Sequence, residues 1–295
     1  MNVKDTGRVA WPVMVLAHNE ASHIVACLDS LYKAEPRREF KVFVLANGCT
    51  DNTEEIVETY ARSHLGVSLI RLDIADKCNA WNVYVHDIIP RQIGGHSFYF
   101  FMDGDAQACP NALSELAHAL ECNPEALAAA AVPFNGRSMH YDRAMIRDNH
   151  GLVANLYALR GKFVVDLQQK EVRLPVGLEG DDDLIGALVK WDLDPQQEWI
   201  ESRIVPCLNA GFTFESMSWR RSRDWKNYWR RRIRYSRRRY EIKLLRGPLK
   251  SQGIKGLPVS VSKLYRGIDH CKLKWCGVET LFSWLAKKEM RKSLK

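Results

Sequence analysis

No C-x-x-C pair occurs in this chain of 295 residues, although it contains 8 cysteines. Zinc-ribbon and dithiol redox chemistry therefore lack support, and the scattered thiols make no compact disulfide framework. They read as reduced, mostly buried cysteines of a cytosolic protein. Nor is there an apolar run approaching the ~20 residues that a bilayer span requires. The longest, at 98–102 and 126–134, are far shorter. Residues Met1-Asn2-Val3-Lys4-Asp5-Thr6-Gly7 lack the apolar stretch of a secretion signal. Four catalytic signatures are also missing: Gly-x-x-x-x-Gly-Lys-[Ser/Thr], Gly-x-Gly-x-x-Gly, His-Glu-x-x-His and Gly-x-Ser-x-Gly. P-loop ATPases, dinucleotide dehydrogenases, zincin proteases and serine hydrolases are thus unsupported.

What the chain does have is ample core material, with 46% hydrophobic residues, and an uneven charge. The net +8 conceals 19 basic against 30 acidic residues over 1–218, and 24 basic against 5 acidic over 219–295. A sign change of this size marks a change of role along the chain. We therefore expect an acidic body at 1–218 and a basic helical region at 219–295.

Residues 12–135 alternate between strand and helix. Val13-Met14-Val15-Leu16-Ala17 and Val42-Phe43-Val44-Leu45-Ala46 are continuous apolar runs, as in parallel strands buried on both faces. Between them Ile24, Cys27, Leu28 and Leu31 recur on one helical face. Further strands are expected at 67–72 and 98–102, with helices around Ile56–Tyr60 and Leu113–Leu120. The alternation implies an α/β fold with a mainly parallel sheet and helices on both faces. Residues 144–159 read as helical, and Gly247-Pro248 should stop a basic helix that begins near Trp225. A last helix places Val278, Leu281, Phe282 and Leu285 on one face and Lys287, Lys288 and Lys292 behind it.

Ligands of such sheets bind beyond the carboxyl ends of the strands, so the polar residues there carry the functional signal. They are His18-Asn19-Glu20, Asn47-Gly48-Cys49-Thr50-Asp51-Asn52-Thr53 and Asp103-Gly104-Asp105. Asn19 and Asp51 could equally cap the following helices. Asp103 and Asp105 differ: two carboxylates ending a buried strand repel each other unless a cation offsets them. A hard divalent ion shared with substrate phosphates suits that pair. The acidic cluster Glu179-Gly180-Asp181-Asp182-Asp183 either complements a helix N-terminus or supplies a general base, because crowding raises a carboxylate's proton affinity. Arg231-x-x-Arg234-Tyr235, inside an arginine-rich run, offers two guanidinium groups beside an aromatic ring, suited to a diphosphate and a sugar.

In this order and spacing the pieces resemble the inverting nucleotide-sugar glycosyltransferases of family 2, which have the GT-A (Rossmann-like) fold. The resemblance rests on residues 15–20, 47–53, Asp76-Lys77-Cys78-Asn79-Ala80-Trp81-Asn82, 103–105 and 180–184, and extends over about 12–240. It implies a catalytic region at 1–218, with a nucleotide-binding half at about 12–135 and an acceptor half at about 136–218, and Mn2+ or Mg2+ at Asp105 and Asp103. It implies donor contacts at Ala17, Asn19, Glu20, Asn47, Asp51, Lys77, Asn82, Asp103 and Gly104, with Arg231 and Arg234 on the diphosphate. The base falls on Asp182, with Asp181 or Asp183 one residue away. Asp76 stands where the family has glycine. The Gln-x-x-Arg-Trp motif of processive members is altered to Arg231-x-x-Arg234-Tyr235, which with the lack of spans argues against a processive membrane synthase.

The implied partners are a nucleotide-sugar donor, with UDP-sugars favoured, and a glycan or lipid-linked acceptor. The basic tail suits an anionic membrane surface, giving a cytoplasmic protein peripheral to the inner face of the membrane. Two other readings compete. A sugar-phosphate nucleotidyltransferase would open with a Gly-rich basic loop where this chain has His18-Asn19-Glu20-Ala21. A nucleic-acid-binding module would rest on the Arg-rich tail, but the acidic body opposes it, and no nucleic-acid partner is expected.

Overall fold

Apolar runs of five to eight residues become strands covered on both faces, and the 3.6-residue repeats become the helices that cover them. The computed structural model describes residues 10–37, 39–215 and 222–294. The first seven residues and the expected 218/219 boundary lie outside these. In chain order the elements are β1 (Trp11–Ala17), α1 (Ile24–Ala34), β2 (Phe40–Asn47), α2 (Thr53–Ser63), β3 (Val67–Leu72) and α3 (Lys77–Val83). They continue with β4 (Phe98–Asp103), β5 (Ala106–Ala108), α4 (Ala112–Cys122), β6 (Ala128–Pro133), α5 (Met139–Asn149), β7 (Leu156–Arg160) and α6 (Gly161–Gln169). The last are α7 (Asp181–Lys190), β8 (Ile204–Phe214), α8 (Ser222–Gln252), α9 (Ser262–Tyr265) and α10 (Val278–Lys292). A wide π-type helical stretch, Tyr84–Ile93, extends α3 and accommodates Pro90.

The strands form one sheet in the order β3-β2-β1-β4-β7-β6-β8-β5. The first four run parallel, as expected. Beyond β4 the sheet is mixed: β7 is antiparallel to β4 and β6, and β8 is parallel to β6. Alternation along the strands feeds two apolar layers. Val13, Val15, Val42 and Val44 pack with Ile24, Leu28 and Leu31 of α1. Met14, Leu16, Phe43 and Leu45 face the other way, with Trp81, Tyr84 and Phe101. Phe101 stacks on Tyr157 at 4.8 Å, and Trp81 donates to the Tyr157 hydroxyl at 3.0 Å, which satisfies both buried polar groups.

Three local expectations are corrected. Residues 144–159 are not one helix: α5 ends at Asn149 and residues 156–160 form β7, because Leu156, Tyr157, Ala158 and Leu159 are needed between β4 and β6. α8 does not stop at Gly247-Pro248 but runs on to Gln252. Leu245 and Leu249 are buried on either side of the proline, and the Ser251 hydroxyl donates to the Gly247 and Pro248 carbonyls, so packing outweighs one lost backbone bond. The face of α10 is also reversed in part: Lys287 is buried while Val278 is exposed. Among the described residues no helix is long and apolar enough to cross a membrane. Of the cysteines, 27, 78, 207 and 271 are buried, 49 and 109 are half-buried, and 122 and 276 are exposed; all are free thiols.

Candidate active site

The parallel strands β1, β2 and β4 end side by side, so their trailing loops share one crevice. Gly104 lets this happen: its N–H donates to the Leu16 carbonyl at 2.7 Å, and a Cβ there would lie 2.8 Å from the same oxygen. Asn47, buried at the end of β2, donates its side-chain amide to the Ala17 carbonyl at 2.9 Å, and its own carbonyl bonds the His18 ring at 2.7 Å. Asn19, at φ 59, accepts from the Thr50 N–H at 2.7 Å and the Asp51 N–H at 3.3 Å. Asp51 in turn accepts from the Ala21 N–H at 3.1 Å and from Thr53. Asn19 and Asp51 thus lash two loops together rather than merely capping their own helices. Ala17 and Asn47 shape the crevice floor from within.

At the centre sits Lys77, the first residue of α3. Its ammonium lies 2.8 Å from Asp103 and 3.4 Å from Asp181, joining the end of β4 to the start of α7. Burial opposes its charge, but Asp103 and Asp181 outweigh that and hold its pKa well above the ordinary lysine value. Asp103 is pushed up to about 6 by burial and by its neighbours Asp105 and Asp181, against the pull of Lys77. Asp76, which replaces the family's glycine, is the N-cap of α3 in an extended conformation that needs no glycine. One of its oxygens accepts from the Asn79 N–H and the other from the Gly177 N–H, both at 2.7 Å.

Asn82 does not join this group. It is buried on α3, accepts from the Leu174 N–H and donates to the Leu174 carbonyl, each at 2.8 Å. It pins the segment leading to the acidic cluster instead of lining the crevice. Its position four residues beyond the buried Cys78 was the available signal.

Glu20 leaves the strand as expected but is paired with His23 at 2.9 Å, whose other ring nitrogen reaches Glu215 at 2.9 Å. Burial and the charge of Asp105 push Glu20 up to about 7 despite His23. Partial burial opposes the charged form of His23, but its bonds to Glu215 and Glu20 prevail and raise its pKa.

The acidic cluster heads α7 and its members part company. Asp181 turns inward to Lys77. Asp182 and Asp183 turn to α8, where Arg238 lies 3.0 Å from Asp182 and is also bonded to Asp183. Burial and the adjacent Asp181 push Asp182 up to about 7, opposed by Arg238. Asp182 and Asp183 line a cleft of about 470 Å³ together with Tyr141, Trp199, Arg231 and Tyr235. Arg231 donates to the Tyr235 hydroxyl at 2.6 Å and sits 5.3 Å above that ring. Arg234 is exposed and does not line the cleft. Where Arg231 and Arg234 were expected together on a diphosphate, the cleft instead holds Arg231 and, about two helical turns on, Arg238, which is paired with Asp182 and Asp183. Trp199, edge-on to Trp191 at 5.1 Å, carried no recognisable sequence signal.

Among the described residues no three His, Cys, Asp or Glu side chains converge to hold a metal ion unaided. A divalent ion shared with phosphates needs only one or two protein carboxylates. Asp105 is exposed and makes no hydrogen bond or ion pair among the described residues, and Asp103 stands beside it. The pair therefore fits such an ion.

Against known proteins, the family model described as Glycosyl transferase family 2 matches residues 13–169. No curated protein matches the chain by sequence. Two solved structures are similar over nearly the whole of it. One is the mannosyltransferase PcManGT from Pyrobaculum calidifontis, in complex with GDP-Man and Mn2+, at 18% identity and TM-score 0.60, covering 98% of this chain and 84% of that one. The other is TarS from S. aureus in complex with UDP-GlcNAc, at 15% identity and TM-score 0.51, covering 97% and 82%. At these identities the shared property is the fold.

Proposed function

This chain belongs to glycosyl transferase family 2, and from that premise we propose that it moves a sugar from a nucleoside-diphosphate donor to an acceptor hydroxyl with inversion, Asp182 being the general base. The nucleotidyltransferase and nucleic-acid readings are set aside with the family membership. The observation that carries the proposal is the bridge at Lys77. It ties Asp103, beside Asp105 at the strand end, to Asp181 at the head of α7, so that residues far apart in sequence meet at one crevice, with Asp182 the next residue of that helix.

The two solved relatives hold GDP-Man and UDP-GlcNAc respectively, which supports a nucleotide-sugar donor at the ends of β1, β2 and β4. UDP-sugars are the first choice, and a glycan or lipid-linked sugar is the acceptor. Asn19, Glu20 and Asp51 shape the rim for base and ribose, and Lys77 brings positive charge beside Asp103. Mn2+ or Mg2+ held by Asp105 and Asp103 would supply the charge that neutralises the departing diphosphate. On the opposite side Asp182 accepts the proton of the acceptor hydroxyl as the new bond forms, with Arg238 orienting its carboxylate. The cleft beside it takes the acceptor, Trp199 offering a flat apolar surface to a sugar ring and Arg231 a cation at the rim.

A thermal-shift panel of UDP, GDP and their sugars, with and without Mn2+, tests the donor half. A ligand at 100 times its Kd adds ~2.7 kcal/mol to stability, so metal-dependent stabilisation by one nucleotide is expected. Absence of any shift across the panel refutes the donor assignment. Product analysis tests the stereochemistry, and retained anomeric configuration would rule out the inverting base.

A further inference from the structure

The basic tail carries an outward apolar face that glycosyl transfer leaves without a role. α10 buries Phe282, Ala286 and Met290 and turns Val278, Leu281 and Trp284 to solvent, Val278 being 71% exposed. These three recur on one side of the helix. On the buried side stands Lys287, whose ammonium donates to the Cys271 carbonyl at 2.6 Å. That bond fixes which side faces out. The segment entering α10 adds Trp275, 85% exposed, and Leu273. On α8, the half-exposed Trp229 packs edge-on against Phe282 at 5.1 Å and extends the face sideways.

The surroundings are cationic. Lys272, Lys274, Lys288 and Lys292 are exposed, and Lys288 lies 5.2 Å above the Trp284 ring. Among nearby acids, Glu279 is held by Arg232 and Arg239, and Asp269 by Arg291. Glu289 of α10 is an exposed carboxylate on the same helix. An exposed aromatic and aliphatic patch of this kind marks an interaction site.

We propose that this face docks on an anionic phospholipid surface, with Trp275, Leu281 and Trp284 entering the headgroup region and the surrounding lysines meeting lipid phosphates. Charge complementarity favours that occupant: residues 219–295 carry 24 basic and 5 acidic residues, while 1–218 carry an acidic excess that such a surface repels. The tail therefore approaches first. Nucleic acid would satisfy the lysines but offers no apolar layer for Val278 and Leu281. Docking itself does not depend on the donor chemistry, so the two readings fail separately.

The test is co-sedimentation of the full chain with vesicles of phosphatidylcholine alone or mixed with phosphatidylglycerol, at physiological salt. Binding to the mixed vesicles only is expected. Trp275→Ala/Trp284→Ala, at exposed positions, should weaken it about tenfold or more. Lys272→Glu and Lys288→Glu should each weaken it about fivefold or more. Circular dichroism of each variant verifies that the fold is kept. Failure of the wild type to bind mixed vesicles overturns the proposal, as does undiminished binding by the double tryptophan variant. A lipid-free wild-type dimer that the double variant dissociates would also overturn it, by assigning the face to a second copy. So would tight binding to generic DNA or RNA without vesicle binding.

Discussion

Replacing Arg238 by Gln tests the proposed base where its environment is most particular. Asp182 sits between opposed influences: burial and Asp181 raise its pKa to about 7, and the guanidinium 3.0 Å away lowers it. Removing an adjacent arginine typically releases a carboxylate by ~1–3 pKa units. The base works only when deprotonated, so activity is lost as pH falls through its pKa. The acid limb of kcat/KM, which reports the free enzyme, should therefore move upward from about 7. For a displacement of one to two units, the rate at pH 7 should fall roughly 5- to 50-fold and recover at higher pH. Arg238→Lys, which keeps the charge but loses the planar fork, should restore much of the limb. Initial rates over a pH series with the best donor provide the measurement. A limb that stays in place while the rate is depressed equally at every pH would refute the coupling of Arg238 to the base.

Asp182→Asn should keep donor binding and abolish turnover, and retained turnover would reassign the base. Asp105→Asn should leave the apo-protein's melting temperature near wild type, since the side chain is exposed, yet abolish the Mn2+-dependent part of the nucleotide thermal shift. Lys77→Met leaves Asp103 and Asp181 without their shared cation; because two partly buried carboxylates then face each other, a lowered stability is expected in urea unfolding, together with loss of donor binding. Asn82→Ala removes both bonds to the Leu174 backbone and leaves buried groups unpaired, costing ~2–4 kcal/mol. Unlike Lys77→Met, it should leave the donor Kd nearly unchanged where the variant is folded, and a donor Kd weakened tenfold in folded protein would return Asn82 to the nucleotide pocket.

The order of β1 to β4 was legible because burial on both faces leaves no ambiguity in runs such as Val13–Ala17 and Val42–Ala46. What failed was local. Residues 156–160 carry apolar residues that suit either a helix or a strand, and only the gap between β4 and β6 decides for the strand. In α10 Lys287 is buried beside Phe282, Ala286 and Met290 because its ammonium bonds the Cys271 carbonyl; hydrophobic periodicity assigns no such value to a satisfied lysine. At the site, Asp103 at a strand end and Asp181 in the acidic cluster stood out because acids clustered next to apolar runs are costly unless paired, whereas Lys77 was marked only by the family resemblance. Asn82 was misplaced because motif spacing does not say which way a side chain points. Among eight arginines between 230 and 246, the one that clamps Asp182 is fixed by the phase of α8 against the head of α7. Sequence alone holds that phase only as the heptad-like interval from Arg231 to Arg238.

The chain's own layout divides the proposed chemistry. The family match ends at residue 169, whereas Asp181, Asp182 and all of α8 lie beyond it. Donor-facing groups thus come from the matched α/β half, while the base, its clamp and most of the charged cleft wall come from α7 and α8. Around the acidic cluster the halves are joined by Lys77 to Asp181, Asp76 to Gly177 and Asn82 to Leu174, and further off β8 joins the sheet beside β6. Below the acidic cluster, Glu241 of α8, fully buried, accepts from the Glu179 N–H at 2.9 Å and from the Tyr265 hydroxyl at 2.5 Å, and Arg237 is bonded to Glu179. A helix tied this firmly to the segment carrying the base cannot shift without moving Asp182. Substitutions on the cleft face of α8, at Arg231 or Tyr235, should therefore alter acceptor KM while leaving donor binding at the strand ends intact. That separation allows acceptor preference to change without rebuilding the nucleotide site.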